Sequence, residues 1–183
     1  MGIKFVADCL TAEQKRVCAD AGIDLVEKYA RSLGEITAGC VTDFSVHCFN
    51  SDALLVLAEM GVNRATLHPE LNLAQIRDIK KCIPTEVLIY GKIPLMKLGI
   101  PLTGGELTDR KGTKFFSHGD NLYNSVPLFM ADKLKALEKA GVAYGRLLFT
   151  TESVSEVQAV IKAYKHQKKL EIEFTRGKYF SKV

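Results

Sequence analysis

The sequence predicts an α/β domain, and three observations carry this. Segments that are alternately or continuously apolar recur between segments with helical spacing. Several helical segments carry start and stop signals at their ends. Strands joined by short helices imply parallel pairing with right-handed crossovers. The pattern gives about six core strands with intervening helices. Two architectures fit it: an open doubly wound sheet, and part of a (β/α)-barrel.

The elements follow in order. Residues 3–9 (IKFVADC) read as a strand, 11–22 as a helix and 23–29 (IDLVEKY) as a strand. Residues 43–50 (DFSVHCFN) alternate as a half-buried strand does. A helix follows over 51–61, with Asn50 or Ser51 as N-cap and Gly61 as its stop. Residues 64–70 (RATLHPE) are the next strand. In the helix of 72–82, Asn72 and Gln75 have capping-box spacing, and Leu73, Ile76 and Ile79 share a face. Pro84 closes that helix, and 85–95 (TEVLIYGKIPL) return to strand. Residues 99–124 break the rhythm. Gly104-Gly105 and Arg110-Lys111-Gly112 are turn signals, so this stretch reads as a long βα excursion with its own hairpin. A helix over 131–141, a strand over 145–151 and a helix over 153–169 complete the chain.

The 183 residues suffice for one domain, 1–183, with a sizeable core. A hydrophobic content of 47% and a charged content of 25% are those of a globular protein. No apolar run is long enough to span a membrane, and the N-terminus lacks the pattern of a signal peptide, so a cytoplasmic location is expected. The five cysteines, Cys9, Cys18, Cys40, Cys48 and Cys82, are odd in number and contain no C-x-x-C pair. This argues against a disulfide framework and a zinc site. The net charge of +4 gathers near the C-terminus, where Lys165, Lys168 and Lys169 offer a contact for RNA or, more simply, a solvated helix face.

In either architecture, ligands meet the carboxyl ends of the parallel strands. Polar residues at those ends are His47 and Asn50, then His68 and Glu70, then Tyr90 and Lys92, then Thr150, Thr151 and Glu152. Glu70 is the most informative. Pro69 biases His68 toward extended geometry, so the strand continues to its end and leaves Glu70 at the mouth before the helix begins. A carboxylate there suits a general base or a metal ligand, or caps the helix. Glu86 opens its strand and is expected on the far, stabilising face. No G-x-S-x-G, H-E-x-x-H, G-x-G-x-x-G or P-loop is present.

Several ordered motifs resemble peptidase family U32, the collagenase-like proteases. They are Asn50, Gly61 to Arg64, and Pro69-Glu70-Leu71, then Glu86 and Gly91 in "EVLIYGKIPLM". Further on come Asp109, Lys111 and Gly112, then Asn124, Ser125, Pro127 and Leu128, then Arg146 and Glu152, and finally Arg176, Gly177 and Tyr179. The resemblance implies a partial (β/α) TIM-type barrel. It also implies a peptidase acting on peptide or protein substrates, with Glu70 and His68 as catalytic candidates. His47, Asn50, Tyr90, Lys92, Asn124, Arg146 and Glu152 are then substrate-binding candidates. Some members similar to this family hold an iron–sulfur cluster on four cysteines and hydroxylate RNA bases or a quinone precursor. Here Pro94 stands in the first cysteine's place and no cysteine follows Cys82, so no cofactor or metal is expected. The alternatives to a peptidase are a non-hydrolytic component of RNA modification and a binding or scaffold domain. A partial barrel exposes sheet edges, which predicts a homo-oligomer or a partner that completes it.

Overall fold

The computed structural model describes residues 2–26, 28–99, 105–110, 112–118 and 120–181. Lys111 and Gly104, named above, lie outside these. Among the described residues, six parallel strands form one curled sheet, a partial TIM-type barrel. They are β1 (Lys4–Cys9), β2 (Asp24–Leu25), β3 (Val41–Thr42), β4 (Arg64–Thr66), β5 (Thr85–Gly91) and β11 (Tyr144–Phe149), in the spatial order β2-β1-β11-β5-β4-β3. β1 thus sits beside β11, and the sequence neighbours β2 and β3 fall at the two edges of the order. The two edge strands are drawn together by the chain after β2, where Ala30 forms a parallel bridge with Thr42. The Ala30 amide donates to Val41 O, and the Asp43 amide donates to Ala30 O.

The helices are α1 (Ala12–Asp20), α2 (Ser51–Glu59), α3 (Leu73–Asp78), α4 (Leu134–Lys139) and α5 (Val154–His166). Their starts follow local chemistry. Asn50 Oδ1 accepts from the Ala53 amide at 2.8 Å, and Asn72 with Gln75 forms the expected capping box. Leu54 and Leu57 of α2, Ile76 of α3, and Val157, Val160, Ile161 and Tyr164 of α5 turn into the core. No helix among the described residues is long and apolar enough to cross a membrane.

Two elements differ from the reading of the sequence. Residues 43–50 are not a strand. The strand is the shorter, earlier β3, and Phe44–Val46 form a 3-10 turn that ends with His47 in a left-handed conformation, φ 60°. Pairing resumes only at Cys48, which bridges Leu67. The excursion holds the expected hairpin but begins earlier, within residues read as the strand 85–95. After β5 the chain builds β6 (Pro94–Lys97), β7 (Gly105–Thr108), β8 (Lys114–His118) and β9 (Asn121–Asn124), an antiparallel sheet in the order β6-β9-β8-β7. A short β10 (Leu128–Phe129) then returns antiparallel to β5. The crossing there needs Gly91. Its φ is 127°, and an added Cβ would collide with the Leu148 carbonyl oxygen.

Candidate functional site

The inside of the curl is held by charge. Arg146 of β11 points inward and is 1% exposed. Its Nε donates to Glu86 Oε1 at 2.7 Å, its Nη1 to Asp43 Oδ1 at 2.5 Å, and its Nη2 to Thr66 Oγ1 at 2.7 Å. The Tyr29 ring stacks on its guanidinium at 3.6 Å, and the Tyr29 hydroxyl donates to Glu86 Oε1. Asp8 Oδ2 lies 3.8 Å from Arg146 Nη1. One side chain of β11 therefore touches residues of β1, β4 and β5 and of the loops after β2 and β3. Glu86 is 0% exposed and also meets Arg64 Nε at 3.0 Å. It lies inside the curl, in the network that supports the mouth, where the sequence reading placed it on the far face alone. A buried charge needs such partners, because burial without them costs several kcal/mol or more.

Two guanidinium groups, Arg64 and Arg146, lie within ion-pair distance of three carboxyls, Asp8, Asp43 and Glu86, and Arg31 at the mouth adds a weaker attraction to Asp8. Burial of Asp8 raises its pKa above the ordinary carboxyl value, and the opposing attraction of Arg146 does not cancel this. For Arg146, burial alone would weaken the cation, but Glu86, Tyr29 and Asp43 outweigh it and the guanidinium is held charged.

Asp8 opens onto a hollow of about 820 Å³ at the carboxyl ends of the strands, lined also by Arg31, Asp43, His47, His68, Tyr123 and Arg146. The antiparallel sheet roofs it, with Pro94, Leu95, Met96 and Lys97 of β6 and Asn121 and Tyr123 of β9 on its wall. A second groove of about 660 Å³ adjoins it. Phe44, His47, His68, Pro94 and Leu95 line both, and Glu70, Phe49, Ile93 and Lys178 line the second. Burial lowers the pKa of His68, with Glu70 opposing and His47 reinforcing the shift. A smaller hollow of about 340 Å³ lies at the opposite strand ends, where Arg64 stacks on Tyr144. No carboxyl is found among the described residues that line it.

The residues expected at the rim divide into groups. His47, His68 and Glu70 meet at the mouth, and Arg146 lies beneath it. Glu70 is exposed, and its backbone amide donates to His68 Nδ1 at 3.3 Å. Tyr90, Lys92 and Glu152 form a different hollow beside α5: the Tyr90 hydroxyl donates to Glu152 Oε1, and Lys92 Nζ to Thr151 Oγ1. Asn50 caps α2, and Asn124 pairs with Phe115 in the roof. Lys168 and Lys169 border a further hollow on α5, while Lys165 is tied to the Ala21 carbonyl. The sequence reading missed Asp8, Arg31, Asp43 and Tyr123. Asp8 is the penultimate residue of the strand "KFVADC", so the rule of carboxyl ends, applied to β1, finds it. Arg31 and Tyr123 come from loop and roof, where no local signal marks them.

The donor set does not fit a four-thiolate cluster. Cys9 and Cys18 face each other at 3.6 Å, Cys82 is exposed, and among the described residues no three His, Cys, Asp or Glu side chains form a group able to hold a metal. Compared with known proteins, the chain has no match among individually curated sequences and none among solved structures. The model of peptidase family U32 matches residues 35–178, which include β3, β4, β5, the roof and β11. Such a match covers most of the sequence, and the chain belongs to peptidase family U32.

Proposed function

We propose that the chain hydrolyses peptide bonds, with an extended substrate lying between the mouth and the roof. The observation that carries this is Asp8: a carboxyl with a raised pKa, backed by a fixed guanidinium and open to a hollow of about 820 Å³. A carboxyl that holds its proton more tightly than usual suits general acid–base transfer. In its ionised form Asp8 takes a proton from the attacking water and returns it to the leaving amine. Arg31, exposed at the same mouth, supplies N–H donors toward the oxygen that gains charge. The strand β6 supports an extended substrate. Among the described residues it pairs only with β9, which leaves its other edge to receive a peptide by strand addition. His68 and Glu70 act in the adjoining groove, as binding groups or as the alternative proton carrier.

The test is cleavage of an unfolded, fluorescently labelled polypeptide by purified protein, with Asp8→Asn, Glu70→Gln and Arg31→Ala variants whose folding is checked by circular dichroism. The expected result is loss of at least about 100-fold in rate for Asp8→Asn. Full activity in Asp8→Asn with none in Glu70→Gln moves the role to Glu70. No cleavage by the unmodified protein from pH 5 to 9, with or without divalent cations, sinks the reading.

A further inference from the structure

The groove beside the mouth has an unusual wall. His47, Phe49 and His68 present three rings whose planes are nearly parallel. The Phe49–His68 planes differ by 29° with centroids 4.3 Å apart, His47–His68 by 29° at 5.3 Å, and His47–Phe49 by 5° at 6.2 Å. Separations of 4.3 and 5.3 Å are too short for rings lying side by side, so His68 stacks in offset fashion on both Phe49 and His47. Phe44 meets His68 edge-on at 81°. Phe49 is 37% exposed, a high value for a phenyl ring already in contact with an imidazole.

The backbone fixes this wall. The Cys48–Leu67 bridge and the bond from the His68 amide to Cys48 O set the loops after β3 and β4 side by side. His47 is held at φ 60°, with its amide bonded to Phe44 O. A non-glycine residue in that region costs of order 1–2 kcal/mol, so the surrounding bonds hold His47 in place. Ile93, Pro94 and Leu95 line the same groove and leave a slot with an aromatic wall and an apolar, prolyl one. Its volume of about 660 Å³ exceeds that of any single side chain.

We propose that this slot is a subsite for a planar aromatic side chain of the substrate peptide, stacked on the exposed part of the Phe49 ring, which His68 backs. The occupant follows from continuity: Phe44, His47, His68, Pro94 and Leu95 wall both the slot and the mouth that holds Asp8, so a peptide over Asp8 can place a neighbouring side chain there. The inference deepens the peptide-hydrolysis reading and rests on it for the nature of the occupant. Flat rings gain over aliphatic groups of similar size by offset stacking, by about 3- to 10-fold in affinity.

The chain contains no tryptophan, so the emission of N-acetyl-tryptophanamide reports its own binding. Titration with the protein is expected to shift that emission, and N-acetyl-leucinamide to compete more weakly by about 3- to 10-fold. Phe49→Tyr keeps a ring and keeps binding. Phe49→Leu keeps apolar area, and its circular dichroism reports its folding, but it loses the preference for tryptophan. Equal competition by the leucine amide, unchanged binding in Phe49→Leu, or no binding by the unmodified protein overturns the proposal. Cleavage read separately divides the two readings. Tryptophanamide binding without peptide cleavage supports the subsite and removes hydrolysis. Cleavage indifferent to aromatic residues, with no tryptophanamide binding, overturns the subsite and leaves hydrolysis standing.

Discussion

Replacing Arg146 by methionine is the sharpest probe of the charged interior. Methionine keeps an unbranched chain of comparable reach but removes the cation that holds Glu86, Asp43 and Asp8. Glu86 is 0% exposed, so the loss leaves a buried carboxylate with Arg64 as its remaining cation. Breaking a buried pair from one side costs about 3–5 kcal/mol. For a chain of this size each kcal/mol lowers Tm by about 2–4 °C, which gives a drop of roughly 6–20 °C. Urea unfolding followed by circular dichroism measures the first quantity, and a thermal scan the second. A double variant, Arg146→Met with Glu86→Leu, removes both charges of the central contact. It is expected to cost less than the sum of the single variants by roughly 1–3 kcal/mol. A loss under about 1 kcal/mol in Arg146→Met, outside the range for a buried pair, or strict additivity in the double variant, would refute the view that this network holds the curl together.

Other outcomes follow from the same interior. The native state holds the Asp8 proton above the ordinary value of 3.8, so it binds more protons than the unfolded chain in that window. Stability therefore falls as pH rises from about 3.8 through the native value and then levels. Asp8→Asn flattens that segment of the stability–pH curve and raises stability above it, as denaturant midpoints at a series of pH values will read. For His68 the sign reverses. Its native pKa lies below 6.5, the unfolded chain binds more protons in the window between, and stability rises with pH until the ordinary value is passed. His68→Leu removes this dependence; a curve of unchanged slope in that variant would contradict it. Gly91→Ala must relieve both a positive φ and contacts to the Leu148 carbonyl oxygen and Cβ, with a cost of roughly 2–5 kcal/mol. Gly22→Ala meets open space at φ 69° and costs only about 1–2 kcal/mol, so the ratio of the two losses is the measurement.

Much of the fold was legible because the chemistry that starts helices is local. Asn50 and the Asn72–Gln75 box lie within three residues of the amides they bond. Residues 43–50 misled because a 3-10 turn, a left-handed histidine and a single bridge together imitate a period of two. A window of eight residues cannot tell that pattern from a strand. The site was half legible. His47, His68 and Glu70 followed from the rule of strand ends, and Arg146 from the resemblance. Glu86 was recognised but assigned to the far face, because its partner Arg146 lies 60 residues away in sequence. The split that puts Tyr90 beside α5 arises at a register shift between β5 and β11, where the partner of Leu147 is Tyr90 while that of Arg146 is Leu88. Such a bulge has no signature in a single strand.

The seat of β1 beside β11 bears on how the chain is made. Within this chain β1, Lys4–Cys9, waits for residues 144–149 before both its edges are paired. Until then a nascent chain carries an unpaired apolar edge and three acidic groups destined for the interior, with the cation they share not yet synthesised. The guanidinium of Arg146 thus arrives last, into a cage of residues made earlier. Ribosome-bound chains that stop short of β11 should stay open to proteases and engage chaperones, and should lose both behaviours once that strand has cleared the exit tunnel.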